Sequence, residues 1–259
     1  MSAVVRLDQD GPLAVLTFDS PPLNLFDDAM FDGLRGAIDQ VAADPPRGLL
    51  IRAEGKVVSG GVDVGKVFDG MSPERGGALW DELLEVIHII EELPLPTVFA
   101  AHGLCLTAAF EIALGCDILL ASEKARFGLV EIVVGLTPSM GGPQRLAERA
   151  GPARAKELIY TGELYDAATL ERWNVVNRVY APDAFEASAR AFATKIANGP
   201  TRAHAATKAI VRAQKEGGAR AADAIVGEVS GALFATEDLK NAVRSFLEDG
   251  PGRATYEGR

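Results

Sequence analysis

The stretch TVFAAHGLCLTAAFEIAL, residues 97–114, combines a strand, a turn of small residues and the start of a helix. Its first five residues are apolar and rich in strand-favouring types, which predicts a buried strand. A helix is predicted over residues 107–114, with Thr107 as its N-cap. The first amides of such a helix, those of Ala108 and Ala109, have no partner within the helix. They can therefore face an anionic or polar ligand.

A second junction of the same kind lies upstream. GLLIR at residues 48–52 predicts another buried strand, and the glycine-rich SGGVD at residues 59–63 follows it. Glycines at such a point let the backbone turn sharply and approach a ligand closely. A helical turn predicted over residues 64–68 would point free N–H groups at an anion or a developing oxyanion. Taken alone, the motif is more typical of a tight strand–helix turn.

Two glutamates stand in apolar surroundings. Glu111 falls about one turn into the predicted helix, where a carboxylate either interacts with the helix N-terminus or works in a dry pocket. Glu131 is the only charged residue between Phe127 and Thr137. Burial there would raise its pKa, which suits a proton donor. The alternative for Glu131 is a surface residue at the start of a helix.

Composition excludes several classes of protein. The chain has 259 residues, 36 acidic and 26 basic side chains and a net charge of −10, which disfavours nucleic-acid binding. No apolar run approaches a membrane span, and the N-terminus lacks a signal-peptide run. Two cysteines without a CxxC or disulfide pattern then favour a cytoplasmic protein. The three histidines lack metal-ligand spacing and no GxSxG occurs, so an enzyme would rely on carboxylates and backbone amides, with no metal.

The order of elements predicts an α/β fold, because strands alternate with helices over most of the chain. The last third is instead rich in alanine, helical in period and divided by Gly-Pro and Gly-Gly. We therefore predict an α/β core over residues 1–190 and a helical C-terminal oligomerisation region over residues 191–259. A helical tail without its own core often packs on a neighbouring subunit.

SGGVD, HGLCLTAAFE and ARFGLVEIVVGLTPSMGGPQRL, in this order and spacing, resemble the enoyl-CoA hydratase/isomerase (crotonase) family. PPLNLFDDAMFDGL and FLEDGPGRATYEGR match the two ends of the family, so the resemblance covers essentially the whole chain. It implies a spiral of β-β-α turns with a helical tail that builds homotrimers or dimers of trimers. It also implies an acyl-CoA thioester substrate and no further cofactor, since coenzyme A is part of the substrate.

The resemblance places the family's oxyanion hole on the backbone N–H groups of Val62 and Ala108. These amides would hold the thioester carbonyl and stabilise an enolate. Contacts with the CoA thioester fall on the same two residues and on Asp63, Val64 and Gly65.

The resemblance also gives both glutamates a role. Glu111 matches the acid that activates water in hydratases, and Glu131 matches its partner, which exchanges the proton at C2. Because many relatives keep one of these acids or neither, the presence of both favours hydration of a trans-2-enoyl-CoA. Two alternatives are a Δ3,Δ2-enoyl-CoA isomerase, with Glu131 as the proton shuttle, and a non-catalytic acyl-CoA-binding member of the family.

Some positions depart from the family pattern. Residues 107–109 are Thr-Ala-Ala where hydratases usually have three glycines, and Phe110 and Val62 are larger than the usual residues. These side chains add bulk beside the thioester. Gly65 takes a position often held by a lysine, and Lys66 comes one residue later.

Five further residues have weaker signals. Asn24 is expected to be a turn residue, Arg145 a structural cation and Cys105 a small buried apolar group. Lys208 and Arg253 are candidates for contacts with the CoA phosphates.

Overall fold

Strands and helices alternate along most of the chain in the computed structural model, which describes residues 4–259. The strands are β1 (Val5–Asp10), β2 (Leu13–Phe18), β3 (Gly48–Ala53), β4 (Thr97–Ala101), β5 (Leu104–Leu106), β6 (Ile118–Ser122), β7 (Arg126–Gly128), β8 (Tyr165–Asp166) and β9 (Arg178–Tyr180). The α-helices are α1 (Asp28–Ala43), α2 (Val64–Val67), α3 (Pro73–Glu92), α4 (Ala108–Gly115), α5 (Gly142–Ala150), α6 (Pro152–Thr161), α7 (Ala167–Arg172), α8 (Phe185–Ala197), α9 (Thr201–Gly217), α10 (Ala219–Gly231) and α11 (Glu237–Asp249). Short 3₁₀ helices span Glu131–Val134 and Ala232–Ala235.

Two sheets organise these elements. The larger has the strand order β1-β2-β3-β4-β6-β9, in which only the β1–β2 hairpin is antiparallel. Its central strands β2, β3 and β4 are mostly apolar because both faces are covered, as is usual for parallel sheets. The smaller sheet has the order β5-β7-β8.

The chain passes repeatedly from the large sheet to the small one. β4 ends at Ala101 and β5 begins at Leu104, after which α4 returns toward the large sheet. β6 and β7 repeat the pattern, with β6 ending at Ser122 and β7 beginning at Arg126. This arrangement is the spiral of β-β-α turns that the resemblance implies, and the predicted α/β class is confirmed.

Helix α8 covers one face of the large sheet, opposite the main core. Its residues Phe185, Ala189, Ala193 and Ala197 are buried against strands β2, β3, β4 and β6. The boundary that the sequence predicts, between residues 190 and 191, falls within this helix. The chain beyond α8 is helical, as expected.

No helix within residues 4–259 combines the length and the apolar character needed to cross a membrane.

A buried asparagine connects the turn before α1 to the glycine-rich loop after β3. Asn24 is 2% exposed and has a φ of 49°, a left-handed conformation that asparagine tolerates better than most residues. Its Oδ1 accepts from the Ser20 N–H, and its Nδ2 lies within 3.2 Å of three carbonyl oxygens, those of Glu54, Val57 and Val58. Asn24 is therefore a structural turn residue, as predicted.

We expect Asn24→Ala to lower the free energy of unfolding by about 2–3 kcal/mol, because it leaves several buried backbone groups without partners. Urea unfolding followed by circular dichroism measures the change. Asn198→Ala is the matched control, since Asn198 is exposed and its side chain makes one bond, to the Thr194 carbonyl. Equal losses in the two variants would contradict the anchoring role of Asn24.

Candidate active site

A cavity of about 200 Å³ lies where the two predicted strand–helix junctions meet. Its polar lining includes three side chains from the predicted motifs, those of Glu111, Glu131 and Thr107, besides Thr137 and Ser139. Its apolar lining includes Phe31, Val62, Val64, Phe68, Trp80, Ala108, Val130, Val133, Val134, Leu136 and Met140. Two larger hollows, of about 690 and 850 Å³, lie beside α9, and neither is lined by these three polar side chains. The smaller cavity is therefore the candidate active site.

The two junctions lie side by side because their backbones are hydrogen-bonded. Ser59 forms an isolated parallel bridge with Cys105 in β5, and Val62 forms another with Phe26. Within residues 4–259, neither the Val62 N–H nor the Ala108 N–H has a hydrogen-bond acceptor. Both residues line the cavity, so two free amides are available there for a ligand.

Thr107 is the N-cap residue of α4, as the sequence predicts. Its φ is 47°, and its side chain makes no capping hydrogen bond. The backbone is fixed on both sides, since the Thr107 N–H donates to the Gly128 carbonyl and the Thr107 carbonyl accepts from the Glu111 N–H. The predicted N-cap position is confirmed, but the side-chain hydrogen bond usual for a threonine N-cap is absent.

Glu111 is 2% exposed and uses one of its two oxygens in hydrogen bonds to backbone. Oε1 accepts from the Met140 N–H at 2.9 Å and from the Gly142 N–H at 2.8 Å. Oε2 accepts no hydrogen bond from the described residues, and Glu111 lines the cavity. Burial and the neighbouring Glu131 carboxylate raise the pKa of Glu111 to about 8, against the lowering effect of the two backbone bonds.

The Glu111 bonds come from the start of α5, which sequence reasoning did not identify as part of the site. Gly141, with a φ of 93°, turns the chain so that the amides on both sides of it face the carboxylate. A Cβ on Gly142 would lie 2.8 Å from Glu111 Oε1, so this position has no room for a side chain. The sequence signal that could have indicated this contact is the Gly-Gly pair of the motif SMGG, which comes directly before an amphipathic helix.

Glu131 stands at the first position of a 3₁₀ helix, and it is half-buried rather than a surface residue. Its Oε2 is enclosed and has no hydrogen-bond partner among the described residues. Burial raises the pKa of Glu131 to about 7. The structure therefore brings the two predicted glutamates to one cavity, each with a raised pKa.

The loop after Val62 forms the outer edge of the cavity. The Asp63 side chain caps α2 by accepting from the Lys66 N–H. Val64 lines the cavity and is 44% exposed, and Gly65 is exposed next to it. Lys66 extends into solvent and binds Asp27 at 2.7 Å, which lowers the pKa of that carboxyl.

Four of the weaker candidates lie away from the cavity. Lys208 Nζ binds the Ile90 and Leu95 carbonyls and Asp117 and does not line the cavity, so its contact with CoA phosphates stays a prediction. Arg253 is exposed beyond α11 and does not line the cavity. The structural assignments of the other two hold, since buried Arg145 pairs with Glu91 and Cys105 is enclosed in β5.

Comparison with known proteins gives one family over almost the whole chain. Residues 8–257 match the model of the enoyl-CoA hydratase/isomerase family. The short-chain-enoyl-CoA hydratase of Clostridium acetobutylicum is 31% identical over 250 residues, which cover 94% of each chain. The crotonyl-CoA hydratase of Syntrophomonas wolfei is 30% identical over 94% of this chain and 95% of that relative. The solved structure of an enoyl-CoA hydratase from Mycobacterium smegmatis superimposes with a TM-score of 0.88 at 29% identity, covering 95% of this chain and 96% of that one.

The β-β-α spiral, with free amides and buried acids at one cavity, defines an enzyme of the crotonase class. Within that class, the chain belongs to the enoyl-CoA hydratase/isomerase family, as its sequence motifs predict.

The raised pKa of Glu111 predicts a pH-dependent effect on folding. A carboxyl whose pKa is about 8 when folded and near its ordinary value of 4.5 when unfolded holds its proton more tightly in the folded state. Its contribution to stability is therefore lost progressively as the pH rises from about 4.5 through about 8. The amide of Glu111→Gln does not titrate, so this variant should gain in melting temperature relative to wild type between pH 5 and pH 9.

Thermal unfolding at both pH values measures the difference. Glu123→Gln, at an exposed glutamate in the turn after β6, should follow the wild-type pH dependence. Parallel curves for wild type and Glu111→Gln would show that the Glu111 pKa is not raised.

Proposed function

We propose that this enzyme adds water across the C2=C3 double bond of a trans-2-enoyl-CoA thioester. The observation that carries the proposal is the meeting of two acids with raised pKa and two free amides at one cavity. The names of the relatives support the same activity, since both curated relatives described above are hydratases of enoyl thioesters.

The free amides of Val62 and Ala108 would receive the thioester carbonyl oxygen. In the enoyl thioester this oxygen is conjugated with the double bond, so attack at C3 moves the π electrons onto it. Two N–H donors that are already in place stabilise the resulting enolate without reorganisation, and each is worth on the order of 3 kcal/mol.

The two glutamates would manage the protons. As the water oxygen forms its bond to C3, Glu111 Oε2 accepts a proton from the water. Glu131 donates a proton to C2 as the enolate collapses, and the product is a 3-hydroxyacyl-CoA. Water supplies its hydroxyl group to C3 and a proton to the carboxyl pair, which in turn protonates C2. No electrons are exchanged with a second group, so the proposed reaction needs neither a redox cofactor nor a metal.

This scheme needs one proton shared between the two carboxyls. The charge of Glu131 raises the pKa of Glu111, as expected for acids that do not ionise independently. Near neutral pH the pair therefore holds about one proton. Because the pKa of Glu111 is the higher of the two, this proton resides mainly on Glu111. Hydration uses the less populated form with Glu111 ionised and Glu131 protonated, and the reverse dehydration uses the other form.

We expect Glu111→Gln and Glu131→Gln each to lower kcat for hydration by about 10²–10⁴-fold, because each removes one proton-transfer group. Loss of the ultraviolet absorbance of a short trans-2-enoyl-CoA in water measures the rate. Glu123→Gln is the control with full activity expected. Circular dichroism and calorimetric binding of a saturated acyl-CoA check that each variant is folded and binds.

Other results would favour the alternatives. Conversion of a 3-enoyl-CoA by wild type without hydration, together with full activity in Glu111→Gln, would identify an isomerase. Binding of acyl-CoA without turnover of any enoyl-CoA would identify a non-catalytic member.

We further propose that the enzyme assembles as a homotrimer or a dimer of trimers through its helical tail. Phe234 before α11, and Val243, Phe246 and Leu247 on it, are 52–78% exposed. Large apolar side chains exposed together on one region are typical of an interaction surface.

Light scattering after gel filtration should give three or six times the chain mass of 27.3 kDa. Leu247→Glu should lower that mass, because it places a charge in the apolar contact. Val211→Glu, at an exposed valine on α9 outside this group, is the matched control. A wild-type monomer would contradict the proposal.

A further inference from the structure

The hydroxyl of Thr107 has no hydrogen-bond partner, although its side chain is buried at the candidate active site. Thr107 is 7% exposed, and its Oγ1 is enclosed without a partner among the described residues. Buried hydroxyls are normally hydrogen-bonded, because leaving water without a replacement partner costs free energy. The described residues therefore leave this hydroxyl as an unused donor.

Thr107 Oγ1 lies next to Gly61, and Thr107 and Gly61 each directly precede one of the two residues with a free amide. A Cβ built on Gly61 would lie 2.9 Å from Thr107 Oγ1, so the hydroxyl stands directly against Gly61. Gly61 precedes Val62, and Thr107 precedes Ala108. The hydroxyl thus contacts the residue before one free amide and belongs to the residue before the other.

The backbone of Thr107 is held in a conformation that a β-branched residue rarely adopts. Its φ of 47° lies in the left-handed region, where branching at Cβ makes a residue an outlier. Such strain persists where the surrounding contacts fix it, and it is concentrated at functional sites. The bonds to Gly128 and Glu111 fix it here. A strained backbone and an unused donor therefore occur at the same residue.

We propose that Thr107 Oγ1–H donates a third hydrogen bond to the thioester carbonyl oxygen held by Val62 and Ala108. The proposal rests on the proposed function, because the thioester carbonyl of the proposed substrate would provide the acceptor for the Thr107 hydroxyl. The bond strengthens as the carbonyl oxygen gains charge toward the enolate, so it acts on the reaction step as well as on binding. Thr107 is then a direct contact of the reacting group.

Substitutions separate this role from packing. Thr107→Val keeps the shape but removes the hydroxyl, and Thr107→Ser keeps the hydroxyl but removes the methyl group. We expect Thr107→Val to lower kcat by about 10–100-fold and Thr107→Ser to retain most of the activity. Thr107→Val should not lower the melting temperature, because it removes an unpartnered buried polar group.

Infrared difference spectroscopy of bound butyryl-CoA measures the thioester carbonyl stretch, which would not shift if Thr107 only packed against its neighbours. This stretch should lie at lower wavenumber in wild type and Thr107→Ser than in Thr107→Val. Thr107→Gly, which relieves the strained φ and also lacks the hydroxyl, should resemble Thr107→Val. Thr17→Val, the same change at a buried threonine of β2 outside the cavity, should leave rate and spectrum unchanged.

Three results would overturn the proposal. The first is a wild-type rate and a wild-type carbonyl stretch in Thr107→Val. The second is an equal loss of rate in Thr107→Ser and Thr107→Val, which would indicate that the methyl group only spaces the two loops. The third is failure of wild type to hydrate any enoyl-CoA, which would remove the proposed function as well. Hydration by wild type with no effect of Thr107→Val removes this inference alone.

Discussion

The contact between the Glu111 carboxylate and the start of α5 is the constraint on which the site depends. A carboxylate at 2% exposure loses its hydration, and the two backbone N–H groups of Met140 and Gly142 replace only part of it. Both bonds go to Oε1, so the second oxygen keeps its basicity for a ligand. The same contact positions α5 against α4 and excludes a side chain at Gly142. One interaction therefore fixes both the packing of α5 against α4 and the position of the Glu111 carboxylate in the site.

Charges near this contact limit how far the pKa of Glu111 can rise. Buried Arg145 lies one turn into α5, donates to the Gly141 carbonyl and pairs with Glu91. Its positive charge lowers the pKa of Glu111, while burial and Glu131 raise it more strongly. Without such a counter-charge, the pKa of a carboxyl this buried would rise further. Arg145 thus acts on the site without lining the cavity.

The sequence predicts features of the site that follow from the type and position of a single residue. It does not predict features that depend on contacts between segments far apart in the chain. The isolated Glu131 among apolar residues predicts burial and a raised pKa, and the free amide of Ala108 follows from its place at a helix start. Thr107 is the N-cap that the sequence predicts, but the loss of its capping bond could not be predicted, because its φ of 47° accompanies a backbone bond to Gly128 in β7. The α5 amides could not be assigned to Glu111, since about 30 residues separate them in the chain.

The carbonyl end of the cavity is narrowed by side chains. Thr107 and Ala108 line the cavity, which is about 200 Å³, and the Ala108 N–H stays free beside them. Met140 and the aromatic pair Phe68–Trp80 form other parts of its wall. Selectivity among acyl groups should therefore depend on the carbonyl end of the pocket as much as on its apolar walls.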